Sequence, residues 1–129
     1  MRRASLLVVV TALFLMLAVG VALAATFTGT RGDDFIVGTA QADQITGFAG
    51  DDALRGQGGA DSINGGDGDD VIRGGLGEDS MVGGGGNDTI FASDDQQKDT
   101  IRCGPGNDTV FRGGNGDDPD DSCERIEGL

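Results

Sequence analysis

Residues Gly65 to Arg73 read GGDGDDVIR, and the same nine-residue outline is written seven times without a gap from Gly29 to Phe91. An Asp stands at the sixth place of every copy: Asp34, Asp43, Asp52, Asp61, Asp70, Asp79 and Asp88. A Leu, Ile or Met stands at the eighth: Ile36, Ile45, Leu54, Ile63, Ile72, Met81 and Ile90. A unit this short cannot bury its one apolar residue by itself, so the copies must stack on one another and the chain must form a solenoid.

Each unit divides into a glycine-rich turn and a short strand. Gly65 and Gly68, at the first and fourth places, are expected to let the backbone reach positive φ. Val71-Ile72-Arg73 reads as a strand whose middle side chain points inward. Two units then make one coil, and every second unit falls on the same flank. Because strands stack about 4.8 Å apart, successive Asp carboxylates on a flank would lie roughly 5 Å from each other. Their repulsion is about 0.8 kcal/mol per pair in water and about 3 kcal/mol at an effective dielectric of 20.

A hard divalent cation between adjacent turns reverses the sign of that interaction. Calcium suits the place better than magnesium, because it accepts six to eight oxygens at flexible angles while magnesium holds to an octahedron and keeps its waters. Zinc is disfavoured in a chain with no His and only two Cys.

These residues resemble the repeats-in-toxin (RTX) calcium-binding family, whose unit is G-G-x-G-x-D-x-U-x with U a large apolar residue. Gly65 to Arg73 matches it at every defined place. The resemblance implies an all-β fold, a right-handed parallel β-roll with several calcium ions between stacked turns, ligated by sixth-place Asp and by turn carbonyls. It covers Gly29 to Phe111 and, more weakly, the tail.

The chain also departs from the motif. The second unit, GTAQADQIT, has Gln41 where the fourth-place Gly belongs. After Phe91 the register gains two residues; the eighth unit, DDQQKDTIR from Asp94 to Arg102, keeps Asp99 and Ile101 but no glycine. The ninth, CGPGNDTVF, restores Gly104, Gly106, Asp108 and Val110. The expected ligands are therefore Asp34, Asp52, Asp70, Asp88 and Asp108 on the odd flank, and Asp43, Asp61, Asp79 and Asp99 on the even one. Since every odd unit keeps its fourth-place glycine, the odd flank is expected to hold the more continuous row, the even flank being sound only between Asp61 and Asp79.

The ends carry their own signals. Arg2 and Arg3, the apolar run Leu6 to Val21 and the small-x-small Ala22-Leu23-Ala24 read as an export leader over residues 1–24, cleaved near Ala25. The expected order is then a lead-in over 25–28, the roll over 29–111 and a cap over 112–129. In the cap, GGNGDD from Gly113 to Asp118 starts a tenth turn. Pro119 then removes a ladder donor and Asp120 falls at the inward place, so the stack should end there. Cys103 and Cys123 lie in the exported part and are expected to be bonded, which would leave Ile126 and Leu129 to cover the last apolar rung. A loop of about twenty residues makes such a bond worth roughly 3 kcal/mol.

The net charge of the chain is -13; without Arg2 and Arg3, seven basic residues face twenty-two acidic ones. That sign of charge excludes a nucleic-acid partner. Only nineteen Val, Ile, Leu and Phe follow Ala24, a composition that by itself predicts disorder. The two readings reconcile if the metal-free chain is disordered and the cation orders it.

An enzyme is not expected: there is no His, and no segment is left outside the roll to build a cleft. The expected product is a secreted calcium-binding protein, touching a membrane only through an uncleaved leader. A calcium-stabilised surface or matrix module, and a remnant repeat of a larger hydrolase or toxin, share the signature. Arg31-Gly32-Asp33 and the sequons at Asn87 and Asn107 are explained by the repeat itself. Phe91 and Phe111, both at outward ninth places, are expected to be cross-strand neighbours, as are Arg55 and Arg73.

Overall fold

A computed structural model of the chain describes residues 23–92, 95–113 and 117–128. Apart from Leu23 and Ala24 the expected leader lies outside the described residues, as do Asp94 and Leu129.

The strands are β1 (Thr26–Thr28), β2 (Phe35–Val37), β3 (Gln44–Ala49), β4 (Ala53–Gly58), β5 (Ser62–Asp67) and β6 (Val71–Leu76). They continue with β7 (Ser80–Gly85), β8 (Thr89–Ala92), β9 (Thr100–Arg102), β10 (Thr109–Arg112), β11 (Asp118–Pro119) and β12 (Arg125–Gly128). Odd and even strands alternate between two six-stranded sheets. All neighbours run parallel. This is the parallel β-roll that the repeat implied, with two units per coil: Ile45 lies beside Ile63, and Leu54 beside Ile72. After Phe91 the offset grows by the two inserted residues, so that Met81 faces Ile101 and Ile90 faces Val110.

The core is one file of eighth-place side chains from each sheet. Ile45, Leu54, Ile72, Met81, Ile90, Ile101 and Val110 have no exposed surface. Each such burial is worth about 1.5–3 kcal/mol. Phe27 of β1 stands beside Ile45 and extends the file by one rung before the first full unit.

The strands β3 to β7 have six residues each, twice the three expected. β6 crosses from one unit into the next, so Gly74, at a first place, is inside the strand and faces inward. First-place glycines therefore do not supply positive φ. Gly66 and Gly68, at the second and fourth places, supply it with φ of 105° and 126°. What the first place needs is space, because a Cβ there would overlap the Asp carboxylate of its own unit.

The expected stop at Pro119 is also corrected. Pro119 takes the inward place opposite Ile101, and Asp120 is exposed. Only alternate residues of a parallel strand donate toward a given neighbour. Here Asp118 donates to the Asp99 carbonyl at 2.8 Å and Asp120 to the Ile101 carbonyl at 2.9 Å, so the missing N–H of Pro119 is not required. The tail then returns as β12, with Ile126 opposite Val110 but still 42% exposed. The disulfide Cys103–Cys123 fixes this return, with Cα atoms 5.1 Å apart. Ser122 Oγ caps the turn below by accepting the N–H groups of Cys103 and Gly104.

Phe91 and Phe111 stack with ring centres 4.9 Å apart. Arg55 and Arg73 are register partners on the same outer face, lying over the rings of Phe35 and Phe91.

Candidate metal centre

The sixth-place Asp ends each turn just before its strand, and its side chain folds inward under the neighbouring coil. Asp43, Asp52, Asp61, Asp70, Asp79, Asp88, Asp99 and Asp108 are all at most 4% exposed; Asp34, in the first unit, is less enclosed. The structure gathers them into two files as expected from parity. In the odd file Asp52 Oδ1 accepts the N–H of Asp34, Asp70 that of Asp52, Asp88 that of Asp70, and Asp108 that of Asp88, at 2.8–2.9 Å. In the even file Asp43 Oδ1 accepts the N–H of Ala25, Asp61 that of Asp43, Asp79 that of Asp61, and Asp99 that of Asp79.

A tenth carboxylate belongs here. Asp117 is 5% exposed and its Oδ1 accepts the N–H of Asp99 at 3.3 Å. It is the sixth residue of a unit that begins at Arg112, directly after Phe111. The register of the ninth unit carried forward finds it; the GG of Gly113-Gly114 misplaces it by one.

One carboxylate oxygen is thus used by the ladder. The other, Oδ2, is buried with no hydrogen-bond partner at Asp52, Asp61, Asp70, Asp88, Asp99, Asp108 and Asp117. Native interiors rarely leave such atoms bare, and a buried carboxylate without full compensation costs several kcal/mol. That is as large as the burial gain of the apolar residue two places on. An oxygen-seeking ligand is what the arrangement lacks.

The first-place glycines show where it fits. A Cβ on Gly47 would overlap Asp52 Oδ2 and lie 2.5 Å from the Gly65 carbonyl oxygen. At Gly56 it would meet Asp61 Oδ2 and the Gly74 carbonyl, and at Gly65 Asp70 Oδ2 and the Gly83 carbonyl. Carboxylate and carbonyl oxygens of successive coils therefore line the same narrow cradle. Among the described residues no three acidic or thiol side chains converge on one point, so any cation held here must complete its shell from the backbone. An all-oxygen set of mixed carboxylate and carbonyl donors is the chemistry of calcium rather than zinc.

Electrostatics agrees. Burial, reinforced by the carboxylates of Asp88 and Asp52, lifts the Asp70 carboxyl to about 7 against the pull of the Asp52 N–H. Burial lifts Asp99 to about 7, and Asp61 and Asp88 to about 6. Asp52 and Asp117 are raised for the same reason. Bare, these files resist ionisation; a cation would restore it.

The family model for RTX calcium-binding nonapeptide repeats (4 copies) matches residues 28–63 and 55–90. Across those residues the chain belongs to the RTX calcium-binding repeat family. No curated protein matches the chain. The RTX repeat is a structural calcium-binding module, and the buried Asp files of this roll fit that ion.

A further file on the odd flank escaped the sequence reading. At the fifth places Asp33 Oδ1 accepts the N–H of Asp51, Asp51 that of Asp69, Asp69 that of Asn87, and Asn87 that of Asn107. These side chains are exposed and tie the turns together from outside. The even flank has Ala42, Ala60 and Glu78 at the same places, so nothing in the unit's outline announces the ladder.

Proposed function

We propose that this is an exported protein that binds several calcium ions along the two flanks of its roll and folds as it binds them. The observation that carries the reading is the set of seven buried Oδ2 atoms without a hydrogen-bond partner, of which those of Asp52, Asp61, Asp70 and Asp88 share a cradle with a backbone carbonyl of the adjoining coil. Asp52, Asp70, Asp88 and Asp108 would hold ions on one flank, with Asp61, Asp99 and Asp117 on the other. Asp79 belongs to the even file by its place in the ladder. The ion supplies positive charge and a flexible demand for oxygen. The chain supplies carboxylates already oriented by their Oδ1 bonds, and glycines that keep the cradle open.

Folding on binding follows from the balance of terms. A core of one aliphatic side chain per unit is matched by one buried carboxylate per unit, so the metal-free roll has little net driving force. Binding free energy then becomes folding free energy. Export is supported by the leader over residues 1–24 and by the Cys103–Cys123 disulfide, a bond that suits an oxidising compartment.

The test is calorimetric titration with calcium and, in parallel, magnesium. Uptake of several calcium ions per chain, with magnesium failing to compete at equal concentration, is expected. Absence of calcium uptake at millimolar concentration would refute the reading.

A further inference from the structure

The Asp files are not uniform along the roll. In the first two units the Oδ2 atom is already occupied. Asp34 Oδ2 accepts the Thr30 N–H at 2.5 Å and the Thr30 hydroxyl at 3.0 Å. Asp43 Oδ2 accepts the Thr39 N–H at 2.5 Å and the Thr39 hydroxyl at 2.9 Å. Both Thr residues stand at the second place of their units, and both Asp residues are missing from the set of bare carboxylates.

From the third unit on, the second place has turned over. Phe48 has φ of 84° and Gln57 of 82°, followed by Gly66, Gly75 and Gly84 at 105–108°. In that conformation the second-place N–H serves the sheet instead of the carboxylate: Gly84 donates to the Cys103 carbonyl at 2.9 Å. A β-branched residue strongly resists positive φ, so Thr at this place keeps the N–H turned inward. Phe48 and Gln57 are the non-glycine residues with positive φ among those described, and they fall on the first unit of each flank whose carboxylate is bare. Backbone strain of that kind persists where the surroundings impose it, and it marks sites of function.

Resting on the calcium reading, we infer that the first coil is a metal-free cap in which Thr30 and Thr39 stand in for the cation, and that calcium begins at Asp52 on one flank and Asp61 on the other. The device closes the N-terminal end of the solenoid. Terminal units of a solenoid must satisfy themselves on their outer side. The cradles beside Gly29 and Gly38 keep the Gly47 and Gly56 carbonyls of the next coil, but there a Thr at the second place of the same turn gives Oδ2 both N–H and O–H donors, so the carboxylate is satisfied without an ion.

The experiment counts calcium ions bound by the full chain in equilibrium dialysis with radioactive calcium, comparing wild type, Asp34→Asn, Asp43→Asn and Asp70→Asn. The expected result is that Asp34→Asn and Asp43→Asn keep the wild-type count while Asp70→Asn loses at least one ion. A Thr30→Gly/Thr39→Gly chain, free to turn over at both second places, is expected to bind additional calcium. Loss of an ion in Asp34→Asn or Asp43→Asn, or no gain in the double glycine variant, would overturn the inference while leaving calcium binding intact. A wild-type chain that binds none would refute the calcium reading first and this with it. Independently of any variant, the Thr30 and Thr39 amide protons of the calcium-loaded protein should exchange slowly with solvent; fast exchange at both would contradict the cap.

Discussion

Asp70 accepts the backbone N–H of Asp52 through Oδ1 at 2.8 Å, and its Oδ2 is left buried without a hydrogen-bond partner, in a cradle it shares with the Gly83 carbonyl. The same side chain therefore holds two coils in register and sets up an electrostatic debt that only a cation or a proton can cancel. Most of what the protein is expected to do follows from this division of labour between two oxygens of one carboxylate.

The proton is the first consequence. Carboxyls raised to about 6 at Asp61 and Asp88, and to about 7 at Asp70 and Asp99, bind more protons in the metal-free roll than in the unfolded chain. Their contribution to stability is therefore fully present below the ordinary carboxyl value of 3.8 and is lost as pH rises through about 6–7. The calcium-free chain should show its highest β content near pH 4 and lose it by pH 8. Circular dichroism across that range in a chelator effective in acid checks it, and a flat profile would contradict the assignment.

Space at the first place is the second. Gly56→Ala would drive a Cβ into Asp61 Oδ2 and the Gly74 carbonyl, whereas Gly58→Ala, two residues on, meets nothing closer than 3.8 Å. The first should remove about 1–3 kcal/mol of calcium-loaded stability by overpacking and raise the calcium needed for folding. The second should change stability by less than about 0.5 kcal/mol. Urea melts in saturating calcium distinguish them, and equal effects would contradict the cradle.

Much of this was legible in the sequence because a period of nine fixes both files at once. The Ile and Asp columns, the two-residue insertion after Phe91 and the Phe91–Phe111 stack all follow from placing each residue in its unit, and the Cys103–Cys123 bond from two cysteines in a stretch read as exported. What was not legible depends on backbone direction rather than on period. Pro119 looked like a terminator because ladder donation was assumed at every residue, and Asp117 was missed because the GG of Gly113-Gly114 shifted the register by one. Gln41 and the glycine-free eighth unit mark the even flank as the weaker one; Asp43 Oδ2, beside Gln41, is occupied, while Asp99 Oδ2 in the eighth unit is as bare as Asp70 Oδ2. The occupied Oδ2 atoms are those of the first coil on both flanks. That distinction sits in the second-place Thr30 and Thr39, whose effect comes through φ and leaves no mark in the Asp column.

The disulfide supplies a further expectation. Cys103 is fully buried at a first place of the ninth unit, and its bond to Cys123 secures β12 and the Ser122 cap over the last coil. A Cys103→Ser/Cys123→Ser chain should lose roughly 3 kcal/mol, the chain-entropy value for a loop of about twenty residues. The calcium midpoint of folding should rise accordingly. An unchanged midpoint would show that the cap adds nothing to the roll.

The central claim, that calcium orders the chain, is tested most directly by far-ultraviolet circular dichroism of residues 25–129 titrated with calcium and separately with magnesium. The account predicts a coil spectrum that turns cooperatively to β with calcium and not with magnesium. At pH 8, where the carboxylates are ionised, a spectrum already β in chelator, or one that stays coil at millimolar calcium, would contradict it.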